Sequence, residues 1–232
     1  MGSSFALAAS SCHQTFLGEE YLITRTVEKS LFVKSRDMYD YRDELHADFY
    51  PKLMSLRSDQ HWIDMGAGRA LPAYDYLKSF KSVKAAADVT AVAWKINRIF
   101  GLRSFGGKLE SHEGAFELMD TSAWKKADLI TDLYGILAYT KDLHTSLQKM
   151  VDLLNVNGEL YFTHIHFENS VRVNGKPVSI QEFLSSIPGL KVEGQYSELK
   201  VTKLVEHVQI PQLVLEAFIE YAPPRRVFRV VE

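Results

Sequence analysis

Between residues 60 and 168 short apolar runs alternate with stretches whose apolar residues recur every three or four positions. The run "HWIDM" predicts a buried strand, and "RALPAYDYLKSF" a helix that Pro72 opens near its first turn. "VKAAAD" (83 to 88) reads as a second strand, and "VTAVAWKINRIFG" as a second helix closed by Gly101. "KLESHE" is a third strand and "ADLITDLYG" (127 to 135) a fourth. "TKDLHTSLQKMVDLLNV" then predicts a long helix, Asn157-Gly158 a turn, and "ELYFTHIHF" (159 to 167) a fifth strand.

Strands that are apolar on both faces and alternate with helices imply a parallel sheet covered by helices on both sides. The pattern changes beyond it. "VRVNGKPV" carries an Asn174-Gly175 hairpin signal, and "SIQEFLSS" a capping box from Ser179 to Glu182. "ELKVTKL", "QLVLEAFIEY" and "RRVFRVV" are strand-like with no helix between them. Ahead of the sheet, "SRDMYDYRDELHADFYPKLMSL" (35 to 56) places Tyr41, Leu45, Asp48 and Phe49 on one side of one or two amphipathic helices, with Pro51 at a break or a new start. The expected architecture is α/β. It is a doubly wound, mostly parallel seven-stranded sheet with antiparallel C-terminal strands and an N-terminal helical cap. A flexible arm is expected over 1–20, the cap over 21–59 and the sheet domain over 60–232.

The first strand runs into "DMGAG". A glycine turn between a strand and a helix aims backbone N–H groups and the positive helix end at whatever lies above it. Gly66 and Gly68 would let a ligand approach the main chain, for want of a Cβ. Asp88, twenty residues beyond Gly68, is the next acid read at a strand end. In a doubly wound sheet an acid at that spacing takes the hydroxyls of a ribose. A dinucleotide fingerprint asks for a third glycine, but Leu71 stands there. Asp64, just before the turn, would repel phosphates and suits a cationic amino-acid group. An adenosyl ligand with an amino-acid tail therefore fits better than a pyrophosphate, with a nicotinamide-dependent oxidoreductase as a weaker rival.

Composition narrows the setting. The chain has 232 residues, 46% of them hydrophobic and 24% charged, enough for one large domain with a sizeable core. A net charge of -2 without a long basic run argues against broad nucleic-acid binding. The single cysteine, Cys12, excludes a disulfide within the chain and points to a reducing, cytoplasmic setting. No apolar run is long enough to cross a bilayer. "MGSSFALAASSC" lacks the charged start of a secretory signal, and Ala6 breaks the myristoylation pattern.

"DMGAGRA" with "AAADVT" resembles the first two motifs of class I S-adenosylmethionine-dependent methyltransferases, and "LLNVNGELYF" resembles their turn into the fifth strand. The resemblance covers about residues 60 to 168. It implies S-adenosylmethionine as cofactor. Asp64, Gly66, Ala67 and Gly68 would then serve the methionine end, and Asp88 with Val89 the ribose. Two departures stand out. Ala70 replaces the family's third glycine, and Ala115 stands where an acid for the adenine is expected, between Glu113 and Glu117. Glu113 and Phe116 are the remaining candidates beside the base. The family also implies that Asp132, ending the fourth strand, faces the sulfonium or the acceptor.

On the acceptor side, Tyr134 is a candidate wall or core packing, and Asp132 a residue that faces the acceptor or caps the following turn. Tyr41 belongs to a possible helical lid. His164, His166 and Glu168 alternate and would share one face of an extended strand. They admit three readings: a general base, a metal site, or polar groups bonded to the backbone. Methyl transfer depends mainly on positioning, so no catalytic triad need be visible. The expected reaction is transfer to an O or N atom, with a small-molecule acceptor favoured, RNA or protein as the alternative, and a non-catalytic member of the fold also open.

Overall fold

The computed structural model describes residues 11–16, 19–24, 36–94, 96, 105, 107–163, 171–195, 197–219 and 225–231. Contacts divide the chain into Met1–Lys34 and Ser35–Glu232. The first unit holds β1 (Ser11–Phe16) and β2 (Glu19–Thr24), an antiparallel pair with Ser11 opposite Thr24. This hairpin straddles the expected boundary between arm and cap.

The second unit opens with two short helices, α1 (Met38–Glu44) and α2 (Phe49–Ser55). Asp37 and Asp40 form a capping box that starts α1. Tyr41, Leu45, Phe49 and Leu53 are buried, the apolar face read from the sequence, while Asp48 is exposed and paired with Lys200 at 2.8 Å. The strands follow: β3 (His61–Met65), β4 (Asp88–Ala93), β5 (Leu109–Glu113), β6 (Ala127–Asp132) and β7 (Leu154–Thr163). Next come β8 (Val171–Val173), β9 (Lys176–Val178), β10 (Leu190–Gln195), β11 (Glu198–Lys203), β12 (Leu213–Ile219) and β13 (Arg225–Val230). The helices among them are α3 (Leu71–Lys78), α4 (Ile136–Tyr139), α5 (Leu143–Leu153) and α6 (Ile180–Ser185).

The main sheet has seven strands in the order β10-β11-β7-β6-β3-β4-β5. β3 to β7 are mutually parallel. β11 runs against β7, and β10 against β11, so β10 returns to the common direction. The order reverses between β3 and β6, which puts the crevice for a ligand above the carboxyl ends of these two strands. The last two strands leave this sheet. β12 and β13 join β8 and β9 in a second, four-stranded sheet. Its hairpin turns on Asn174 and Gly175, both at positive φ.

Alternation along the strands sorts the core into two layers. Ile63, Met65, Ile130 and Leu160 face one side, with Leu147, Met150 and Val151 of α5. Trp62, Leu129 and Tyr161 face the other, with Tyr41, Phe49 and Tyr76. Asp64 is completely buried and reaches into this second, aromatic layer.

Two stretches differ from their expected type. The expected turn at Asn157-Gly158 and the end of the long helix before it lie within β7, with Asn157 at φ 64°. "VKAAAD" is not a strand; Val83–Ala85 forms a single 3-10 turn. The strand is "DVTAVA", which had read as the start of a helix. Its β-branched valines and threonine fit a buried strand, and tertiary burial outweighed the helix-forming alanines around them.

Candidate functional site

Asp64 carries the site's least ordinary electrostatics. Its Oδ1 accepts from the Tyr41 hydroxyl at 2.7 Å and from Thr131 Oγ1 at 2.9 Å. Thr131 in turn accepts from the Trp62 indole N–H at 2.9 Å. Oδ2 is buried and has no partner among the described residues. Burial pushes the carboxyl up to about 7, against the lowering pull of the Tyr41 and Thr131 bonds. Pairing of Asp64 with Thr131 across β3 and β6 sets this contact, and α1 brings Tyr41 to it.

The turn that follows is built as the glycines require. Gly66 and Gly68 have φ of 71° and 56°, and Ala70, capping α3, is left-handed too at 54°. Ala70 thus takes the backbone conformation in which a glycine is the unstrained choice. Gly66 is needed for a reason the sequence did not disclose. A Cβ there would lie 2.2 Å from Gly135 Cα. The space beside Gly66 is filled by the β6–α4 turn, not left for a ligand. The Ala67 N–H is also spent, donating to Val92 O at 2.9 Å.

Several expected roles are corrected by position. Asp88 begins β4 rather than ending a strand, and pairs with His61 at the start of β3. It therefore lies at the opposite end of the strands from the glycine turn and cannot grip a ribose there. It pairs instead with Lys108 at 2.8 Å and Lys125 at 2.7 Å. Burial opposes its charge, but these two ammonium groups outweigh it and hold the carboxyl below its usual range. Val89 shares that end and is core. Phe116 is likewise core, buried against Trp124 with the Lys149 ammonium over its ring, so it offers no face to a base. The Tyr41 hydroxyl is committed to Asp64 and its ring packs near Phe49, so it forms no open wall for an acceptor.

Asp132 ends β6 at the right edge, but both oxygens accept backbone N–H groups, Ile136 at 2.6 Å and Leu137 at 2.8 Å. It is the cap of α4, and burial pushes its carboxyl up to about 7 against those two bonds. Both of its oxygens are thus engaged by the start of α4. Tyr134 does stand at the edge. It is half-buried, strained at φ 47°, close to Glu44 and covered by the Arg36 guanidinium 4.7 Å from its ring centre. Strain of this kind in a bulky residue concentrates at functional sites. Glu113 ends β5 at the same edge, and its Oε1 accepts from Ile96 N at 3.0 Å. His164, His166 and Glu168 lie outside the described residues. Among the described residues no group of His, Cys, Asp and Glu is arranged to hold a metal ion, and no helix is long and apolar enough to cross a membrane.

Thr131, Gly135 and Arg36 were not singled out in the sequence. Thr131 had a usable signal, since it precedes Asp132 on a strand and so faces the opposite layer. Gly135 and Arg36 had none, because their roles arise from contacts distant in sequence.

No family model and no curated protein matches this sequence. Solved structures do resemble it. The protein in complex with the Haloferax volcanii Trm112 methyltransferase activator superposes with a TM-score of 0.50 at 12% identity, over 79% of this chain and 98% of that one. An rRNA methylase from Streptococcus thermophilus gives 0.45 at 14% identity, over 69% and 96%. The N-methyltransferase NodS from Bradyrhizobium japonicum gives 0.44 at 13%, over 69% and 94%. At such identities the likeness concerns the fold. The sheet of Ser35–Glu232 has the class I methyltransferase fold.

Proposed function

We propose that this chain is an S-adenosylmethionine-dependent methyltransferase that acts on an O or N atom of a small molecule. The observation that carries the reading is the state of Asp64. A carboxylate with no exposed surface sits one residue before a left-handed glycine turn, with one oxygen accepting two bonds and the other without a partner among the described residues. An unpartnered buried oxygen is costly, and a cationic donor relieves it. The ammonium of an adenosyl amino acid is such a donor, held directly or through water, whereas a phosphate would be repelled. The residues thus fit the cofactor at its amino-acid end. At the sugar end the expected acid, Asp88, is elsewhere.

When bound, the cofactor supplies a methyl carbon already activated by its sulfonium. The chain's share is positioning and exclusion of water. Tyr134, covered by Arg36, is suited to form one wall of the acceptor space. Glu44 and Glu113 give this edge an acidic bias, which favours a small acceptor over an RNA backbone. Release of S-adenosylhomocysteine from S-adenosylmethionine across an acceptor panel tests the reading. Turnover with at least one small molecule is expected; turnover with RNA alone would overturn the acceptor class.

Ala93 at the end of β4 and Ala115 after β5 favour a second reading, a member of the fold that does not turn over. Binding without turnover on any acceptor would select it.

A further inference from the structure

β4 ends on Ala93, so no carboxylate stands on that strand at the edge where the glycine turn lies. An acid does stand on the next strand. Glu113 closes β5 directly opposite Ala93. Two bonds tie this end of β5 to the end of β4 and the residues after it: Glu113 Oε1 accepts from Ile96 N at 3.0 Å, and Gly114 N donates to Ala93 O at 3.0 Å. The glycine turn is tied to the same place from the other side, through Ala67 N and Val92 O at 2.9 Å. The carboxylate of Glu113 and the turn therefore both border the end of β4. A neighbouring strand lies about 4.8 Å farther out. The longer Glu side chain, already reaching Ile96 just past β4, recovers part of that distance.

The other acids nearby are engaged. Glu117 accepts from Thr140 at 3.1 Å, Asp132 caps α4, and Asp64 lies beneath the turn. Glu113 is exposed, and among the described residues only its Oε1 is bonded. We propose that Glu113 is the sugar-binding acid of this site, its Oε2 accepting from the ribose hydroxyls of the adenosyl ligand. The assignment rests on the cofactor reading above. It replaces an acid on β4 with one supplied by β5.

Calorimetric titration with S-adenosylhomocysteine and its 2′,3′-dideoxy analogue, on the wild type and on Glu113→Gln, separates the outcomes. Glutamine keeps an oxygen for the Ile96 N–H, and an unchanged melting temperature checks that the fold is intact. Glu113→Gln is expected to weaken S-adenosylhomocysteine by about tenfold, as for loss of one hydrogen bond to a charged group. It should leave the dideoxy analogue's affinity unchanged. Equal weakening of both ligands, or S-adenosylhomocysteine affinity within about twofold of wild type, would overturn the assignment while leaving the cofactor reading standing. A wild type that binds neither ligand would overturn both.

Discussion

At the residue scale the account turns on Asp64. A carboxyl raised to about 7 by burial keeps a proton in the folded chain that the unfolded chain has already released. The stability tied to that proton is present below the ordinary carboxylate range near 3.8 and is lost as pH rises through about 7. Asp132 adds to this slope, and His61, pushed down by burial, opposes it. The readout is therefore a difference between proteins. The melting temperature of Asp64→Asn minus that of the wild type should grow more positive from pH 4.5 to pH 8 at constant ionic strength; a flat difference would contradict the burial account. Tyr41→Phe removes a buried donor to this carboxyl and should cost about 1.5–3 kcal/mol in urea unfolding if the carboxyl is ionised. Asp88→Ala carries the opposite expectation. Its ion pairs are partly exposed, so stability should fall by no more than about 1 kcal/mol, and cofactor affinity should not change. Asp64 was legible in the sequence because it abuts the glycine turn. Its bond to Tyr41 was not, since the two residues stand 23 apart and only the fold of α1 brings them together.

At the element scale one misread strand moved one acid. Taking "VKAAAD" as the strand placed Asp88 at its end; with "DVTAVA" as the strand, the same residue stands at the start. Alanine-rich sequence is ambiguous between helix and buried strand, and the burial that decides it is a property of the neighbours. Helix signals with their own local chemistry were read correctly. Pro72 lies in the first turn of α3, and Ser179 and Glu182 close the capping box of α6. The glycine turn was legible as a turn but not in its packing. Gly66→Ala would push a Cβ to 2.2 Å from Gly135 Cα at a φ of 71°, so it should destabilise the chain by more than about 2 kcal/mol in urea unfolding. A smaller loss would mean that the β3–α3 and β6–α4 turns are less closely apposed than described.

At the scale of the whole molecule, the alternation of strands and helices carried the seven-stranded sheet, because each βαβ unit buries its own local pattern. The second sheet was not legible, since pairing β13 with β8 depends on a return across some fifty residues that no local signal records. Its strands were expected as antiparallel additions to the main sheet. The assembled edge gathers Asp64, the glycine turn, Glu113 and Tyr134 from three strand ends, and only this assembly argues for a cofactor. Calorimetry of S-adenosylhomocysteine against the wild type and Asp64→Asn tests that most directly, because asparagine retains an oxygen for Tyr41 and Thr131 while removing the negative charge. The account predicts saturable binding to the wild type and affinity at least about tenfold weaker in Asp64→Asn. No heat of binding with the wild type at about millimolar ligand, a Kd range any specific site should exceed, or equal affinity for the two proteins, would contradict it.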